Sequence, residues 1–137
     1  GTTKSGALVY DDYAHHPTEI KAALRGFKEK FPGKRRVVVF QPHLFSRTKM
    51  LLDEFAKSFD DADKVIVAPI FGAREEREES ITSEILVKKI KQFGKDVLTL
   101  ENSEKILDYL MANTGKDDVI ITMGAGDIYK VGERLVG

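Results

Sequence analysis

No cysteine occurs among the 137 residues of the sequence, which excludes a disulfide framework and a thiolate zinc site. This composition suits a reducing compartment. An excess of charge of either sign is also missing, since Lys+Arg and Asp+Glu both number 22. We therefore expect neither nucleic acid nor an anionic membrane as a partner, and a bound anion must be met by a local site.

Long apolar runs are absent too, and the longest apolar run is only as long as a strand. The N-terminus also lacks the pattern of a signal peptide, in which charged residues precede an apolar run. We expect a soluble protein of the cytoplasm. The length suits one domain. Because residues 1–6 are polar and the first apolar run follows at once, we interpret them as a linker remnant and expect the domain to span 7–137, as in a piece cut from a longer protein.

Five apolar, β-branched segments of strand length alternate with five segments of helical periodicity. The predicted strands span 7–10, 35–40, 64–69, 97–100 and 118–123. Strands that are apolar on both faces are typical of a parallel sheet covered by helices on each side. The sequence therefore predicts a three-layer α/β domain with a mostly parallel, Rossmann-like sheet, and it leaves the strand order open.

Polar side chains collect in the loops that follow the first two predicted strands, where ligands bind in such sheets. All three histidines of the chain lie there, together with acids, an amide and an arginine. The residues are Asp11, Asp12, His15, His16, Gln41, His43 and Arg47. Structure alone does not require imidazoles in these loops, so we interpret the group as a candidate site.

Two members of this group have both a functional and a structural interpretation. Asp12 can accept hydrogen bonds from ribose hydroxyls, or else Asp11 or Asp12 can cap the first helix. Arg47, at the start of a predicted helix, offers a bidentate fork for a carboxylate or phosphate with help from the helix N-terminus. The alternative is a solvated arginine.

Two further stretches carry weaker signals. Gly124-Ala125-Gly126 lets backbone approach a ligand closely, but it lacks the third glycine of a dinucleotide-binding fingerprint. The segment 70–80 is the longest and most charged connection, and its Arg/Glu run at 74–79 predicts a mobile, solvated surface loop rather than a site.

Three function classes follow from these residues. A receiver domain would need an acid after the third strand and a lysine after the fifth, where the chain has Ala68-Pro69 and Met123-Gly124. A metal-dependent hydrolase needs carboxylate and imidazole ligands. Its candidate ligands are Asp11, Asp12, His15 and His43. The third class is a domain of a ligase that binds a nucleotide and an amino acid.

Three motifs resemble the C-terminal domain of the Mur ligases. They are Asp-Asp-Tyr-Ala-His-His-Pro-Thr-Glu at 11–19, Phe-Gln-Pro-His-Leu-Phe-Ser-Arg-Thr at 40–48, and Gly-Ala-Gly-Asp-Ile at 124–128. The double histidine and Gln-Pro-His favour either the family member that adds L-alanine to UDP-N-acetylmuramate or the murein tripeptide ligase of cell-wall recycling. Tyr13 favours the alanine-adding member.

The resemblance implies a three-domain, ATP-dependent enzyme of bacterial peptidoglycan synthesis. ATP phosphorylates the muramate carboxylate, the amino group of L-alanine attacks the acyl phosphate, and ADP and phosphate leave with the assistance of Mg²⁺. Because no Gly-x-x-x-x-Gly-Lys-Ser/Thr pattern occurs, we expect a central domain to hold most of the ATP and Mg²⁺, and an N-terminal domain to hold the UDP-sugar. Alone, the chain should be inactive.

The same resemblance implies roles for individual residues. Asp12 would meet the ATP ribose, Tyr13 and His15 would line the alanine pocket, and Arg47 would hold the alanine carboxylate. Some relatives carry a second arginine where this chain has Leu44. Supporting positions would be Asp11, His16, Gln41, His43, Gly124 and Gly126. No catalytic residue and no metal ligand is assigned within this domain.

Overall fold

The computed structural model describes residues 1–137 and contains five strands and six helices. The strands are β1 (Leu8–Asp12), β2 (Arg35–Phe40), β3 (Lys64–Val67), β4 (Val97–Thr99) and β5 (Asp118–Met123). The helices are α1 (Pro17–Lys30), α2 (Phe45–Met50), α3 (Leu52–Ala56), α4 (Ser83–Lys91), α5 (Ser103–Asn113) and α6 (Tyr129–Val136). None of them combines the length and apolar character that a membrane span requires.

All five strands are parallel and form one sheet in the order β1-β5-β2-β3-β4. The predicted α/β class is thereby confirmed. From β1 to β4 the chain advances in one direction across the sheet, and after β4 it returns to place β5 between β1 and β2. Right-handed crossovers then require α5 on the face opposite to α1 and α4.

The packing of the two faces agrees with this topology, because successive strand residues point to opposite sides. Val38 and Phe40 lie in a core with α1, α3 and α4, whereas Val37 and Val39 lie in a second core with α5 and α6. The helical members of the first core include Ile20, Leu24, Phe55, Leu86 and Ile90. Those of the second core are Ile106, Leu107, Leu110, Val131 and Leu135.

Helix α1 is capped by His16, which rules out the alternative interpretation that Asp11 or Asp12 caps it. The His16 side chain accepts from the N–H of Thr18 at 3.5 Å, and Glu19 accepts from the N–H of His16 at 3.1 Å, which completes a capping box. The two acids cannot serve because both belong to β1, which ends at Asp12, and four residues separate it from the start of α1 at Pro17.

The other boundaries are mostly as expected. The side chain of Thr82 caps α4, and the side chain of Asn102 caps α5. The single helix predicted between β2 and β3 is two helices, because the backbone at Leu51 leaves helical geometry with φ −108° and ψ 24°. At the N-terminus, the chain folds back on β1 through an antiparallel bridge between Thr2 and Leu8.

Candidate functional site

The loops after β1, β5 and β2 meet at one edge of the sheet because these strands are neighbours and all run the same way. Met123, the last residue of β5, is in register with Asp12 on one side and Phe40 on the other. The order β1-β5-β2, which the sequence did not predict, therefore brings the polar loop residues together at the carboxyl ends of three strands. This is where ligands bind in sheets of this type.

Asp12 closes β1 and is half-buried. Its Oδ1 atom accepts from the N–H of Ala14 at 2.8 Å, which fixes the turn out of the strand. Its carbonyl accepts from the N–H of Gly124 at 3.1 Å, which ties this turn to the loop after β5. Protein hydrogen bonds engage only Oδ1, so Oδ2 can accept from a ligand hydroxyl.

Asp11 and His16 lie outside this group. Asp11 accepts from the hydroxyl of Thr122 at 2.7 Å, on the face of the sheet covered by α6. His16 is exposed and caps α1. Both residues thus have structural roles that account for their position in the motif.

Tyr13, His15, His43 and Phe71 form a row of rings across the edge. The centroids of the Tyr13 and His15 rings are 5.4 Å apart, those of His15 and His43 are 6.0 Å apart, and His43 stacks on Phe71 at 5.5 Å. The Tyr13 side chain is 69% exposed at the open end of the row. The row therefore offers an aromatic surface to a ligand at the sheet edge.

His43 is held in its neutral form. Burial is the largest cause that lowers its pKa below the usual 6.5, and the positive charge of Arg47 adds to this effect. The Nδ1 atom of His43 is buried and has no hydrogen-bond partner. In contrast, Nδ1 of His15 lies 3.1 Å from the carbonyl oxygen of Tyr13, which can only accept a hydrogen bond, so Nδ1 is the donor in this contact.

Arg47 is half-buried in α2 and takes part in none of the ion pairs of the structure. Its guanidinium can therefore receive a ligand carboxylate. One donor of the helix N-terminus is already engaged, because the N–H of Ser46 donates to Glu75 at 3.2 Å. The capture of an anion here falls to the Arg47 side chain.

Gln41 and the two glycines of the loop after β5 pack tightly together. Gln41 is 8% exposed and donates through Nε2 to Asp127 at 2.9 Å. A Cβ at Gly126 would lie 2.5 Å from Gln41 Oε1, and one at Gly124, whose φ is +153°, would lie 2.9 Å from the Gln41 carbonyl. These glycines are therefore required for the close approach of protein backbone to Gln41.

Sequence reasoning missed two residues of the loop after β3, which it assigned to a solvated segment. Phe71 stacks on His43, and Glu75 binds the start of α2. One signal was available for Glu75, because Leu44 stands at the N-cap of α2 and has no acceptor for the free N–H groups. No sequence signal pointed to Phe71.

The candidate metal ligands of the alternative hydrolase do not come together. The structure contains no group of three or more acidic or imidazole side chains arranged to hold a metal ion. Asp11 bonds Thr122 on the α6 face, and Asp12 is turned toward its own loop. The geometry thus disfavours the metal-dependent hydrolase.

The parallel sheet is covered on both faces, and one carboxyl edge carries a carboxylate, two neighbouring imidazoles and an arginine without an ion pair. These features define an α/β domain with a candidate site for small polar ligands. The sequence model of the family described as "Mur ligase, glutamate ligase domain" matches residues 2–126. The chain belongs to this family, which confirms the resemblance of its motifs.

Relatives and solved structures agree with that membership. The chain is 49% identical over 131 residues to the UDP-N-acetylmuramate–L-alanine ligase of Caldanaerobacter subterraneus, and 53% identical over 129 residues to that of Acetivibrio thermocellus. These matches cover 96% and 93% of this chain. The UDP-N-acetylmuramate-alanine ligase of Thermotoga maritima superposes with a TM-score of 0.72 at 29% identity, over 93% of this chain and 26% of that one.

A murein peptide ligase of Psychrobacter arcticus superposes with a TM-score of 0.76 over 98% of this chain and 28% of that one. At 23% identity, this likeness concerns the fold alone. The chain spans 28% and 27% of the length of the two curated relatives described above.

Proposed function

We propose that this chain is the C-terminal domain, at residues 7–137, of an ATP-dependent ligase that joins L-alanine to UDP-N-acetylmuramate, with residues 1–6 as its linker. The observation that carries the proposal is the identity of about one half to relatives of that name over nearly the whole chain. Its partners would be the N-terminal and central domains of the same protein. A bacterial cytoplasmic location stays a prediction.

Different residues of the sheet edge would have different roles in binding the amino acid. Arg47, free of ion pairs, would bind the carboxylate of L-alanine through two charge-assisted hydrogen bonds. Tyr13 and His15 would line the pocket beside it, and the neutral His43 would avoid repelling the incoming ammonium group. These residues orient the amino acid so that its amino group can attack the acyl phosphate formed elsewhere in the enzyme.

One residue of this edge, Asp12, would contact ATP. No site for Mg²⁺ is assigned in this domain. Asp12 retains Oδ2 as an acceptor for a ribose hydroxyl, as expected for a carboxylate after a strand in a nucleotide-binding fold. The structure offers no group of ligands for a metal ion. When bound, ATP supplies the phosphoryl group that activates the muramate carboxylate, and its phosphates would lie mainly on the central domain.

Phosphate release by the full-length protein tests this function. With UDP-N-acetylmuramate and ATP present, we expect turnover with L-alanine as acceptor and none with the murein tripeptide. Turnover with the tripeptide alone would contradict the proposal and assign the same edge to a recycling ligase. The chain of residues 1–137 serves as the control, since it should release no phosphate with either acceptor.

A further inference from the structure

Helix α2 begins without a capping residue of its own. Its N-cap is Leu44, at φ 71° and ψ 131°, and no side-chain cap is formed there. The first N–H groups of a helix have no partners within it, and a leucine side chain cannot accept from them. An acceptor must therefore come from another segment of the chain. This matters for the candidate site because Arg47 lies in the same first turn.

Glu75, in the loop after β3, supplies that acceptor. Its Oε1 atom accepts from the N–H of Ser46 at 3.2 Å, and its Oε2 atom accepts from the Ser46 hydroxyl. These two bonds are the largest causes that lower the pKa of Glu75 below 4.5, so the carboxylate is ionised at neutral pH. A negative charge at a helix N-terminus also has a favourable interaction with the helix dipole.

Backbone hydrogen bonds connect the loops after β2 and β3, and they place Glu75 beside the start of α2. The N–H of Phe71 donates to Pro42 at 2.8 Å, and the N–H of Leu44 donates to Phe71 at 2.8 Å. A Cβ at Gly72 would lie 2.6 Å from the ring of Phe45. The start of α2 is thus built jointly by two loops that are 29 residues apart in sequence at the Ser46–Glu75 contact.

We propose that Glu75 is a positioning residue for the amino-acid site, because its cap on Ser46 fixes the helical turn from which the adjacent Arg47 reaches the substrate carboxylate. The inference rests on the proposed function of Arg47. Glu75 forms no ion pair with Arg47, so it orients the helix without occupying the guanidinium. Neighbouring acids in the Arg/Glu run, such as the exposed Glu76, make no such contact.

The test uses Glu75→Ala and Glu75→Gln in the full-length protein, with Glu76→Ala as the matched control. Glu75→Ala should raise the KM for L-alanine about tenfold and leave the KM for ATP unchanged, since loss of a helix cap loosens only this turn. Glu75→Gln should recover part of that loss, because the amide oxygen still accepts from Ser46. Hydrogen exchange of residues 44–50 should accelerate in Glu75→Ala and stay unchanged in Glu76→Ala.

The outcomes separate this inference from the proposed function. If Arg47→Ala raises the KM for L-alanine and Glu75→Ala behaves like Glu76→Ala in both readouts, the positioning role is overturned and the proposed function stands. If Arg47→Ala leaves that KM unchanged, the role of Arg47 is wrong and the positioning role is lost with it. An equal rise of both KM values in Glu75→Ala would show that the effect is not specific to the amino-acid site and would also overturn the inference.

Discussion

At the scale of single residues, burial and, after it, the positive charge of Arg47 lower the pKa of His43. The imidazole packs between the ring of Phe71 and that of His15, and the nearby guanidinium of Arg47 opposes a second positive charge. In this partly buried position, the neutral imidazole has a lower free energy than the imidazolium cation. His43 should therefore remain neutral at pH 7 while the amino-acid substrate binds.

An NMR titration of His43 measures this effect. We expect a pKa below 6.5 in the unaltered chain, because burial and Arg47 both disfavour the imidazolium form. Arg47→Ala should raise the pKa by removing the positive charge, whereas Arg25→Ala, on the exposed face of α1, should not change it. An unchanged His43 pKa in Arg47→Ala would show that the two side chains are not coupled.

At the scale of elements, the loop after β5 depends on glycine for its close packing. Gly126→Ala would place a methyl group 2.5 Å from Gln41 Oε1 and 2.9 Å from the ring of Phe71. We expect a loss of about 1–3 kcal/mol in the free energy of unfolding, measured by urea denaturation. Gly26→Ala in α1 is the matched control.

No atom lies within 4 Å of a Cβ built at Gly26. That substitution should therefore stabilise the chain by about 0.5–1 kcal/mol through helix propensity. Similar unfolding free energies for Gly26→Ala and Gly126→Ala would contradict the packing described at the sheet edge.

The capping box of α1 makes a pH-dependent contribution to stability. Hydrogen bonds from the N–H groups of His15 and His16 lower the pKa of Glu19 below its ordinary 4.5. Because the folded pKa is the lower one, this contribution is fully present above about pH 4.5 and is lost as the pH falls through the folded value.

We expect Glu19→Gln to cost about 0.5–1 kcal/mol at pH 7 and less at pH 3, measured by thermal unfolding. The control is Glu29→Gln near the end of the same helix, whose exposed ion pair with Arg25 contributes little. A cost for Glu19→Gln that does not change with pH would exclude the charged carboxylate as its cause.

Much of each element could be predicted from its own residues. The strands 35–40 and 118–123 agree with the sequence pattern to the residue, because continuous β-branched runs bounded by polar residues have few other solutions. Pro17 is typical of the first position of a helix, as it is in α1, but the cap by His16 has no such signal, since imidazole is an uncommon N-cap. The break at Leu51 has no counterpart in the apolar periodicity.

In the candidate site, too, only some of the residues could be predicted from the sequence. His15, His43 and Arg47 were predicted from local sequence because each follows a strand at the carboxyl edge. Phe71 and Glu75 were not, because their importance depends on contacts between the loops after β2 and β3. Contacts between segments distant in sequence leave no local pattern from which they could be inferred.

At the scale of the whole molecule, the strand order combines these loops into one site. Insertion of β5 between β1 and β2 sets the Gly124 loop between the turn of Asp12 and the segment of Gln41. The two proposed ligand contacts, the ribose at Asp12 and the amino-acid carboxylate at Arg47, then lie on one edge of a rigid sheet. The central claim is that this edge serves both ligands through separate residues.

The most direct test compares Asp12→Asn with Arg47→Ala in phosphate-release assays of the full-length protein. Arg47→Ala should raise the KM for L-alanine by about one to two orders of magnitude and leave the KM for ATP unchanged, because a bidentate charge-assisted contact is lost. Asp12→Asn should do the reverse, with a rise of about tenfold in the KM for ATP. If each substitution raised both constants equally, or neither did, the edge would not divide its ligands as described.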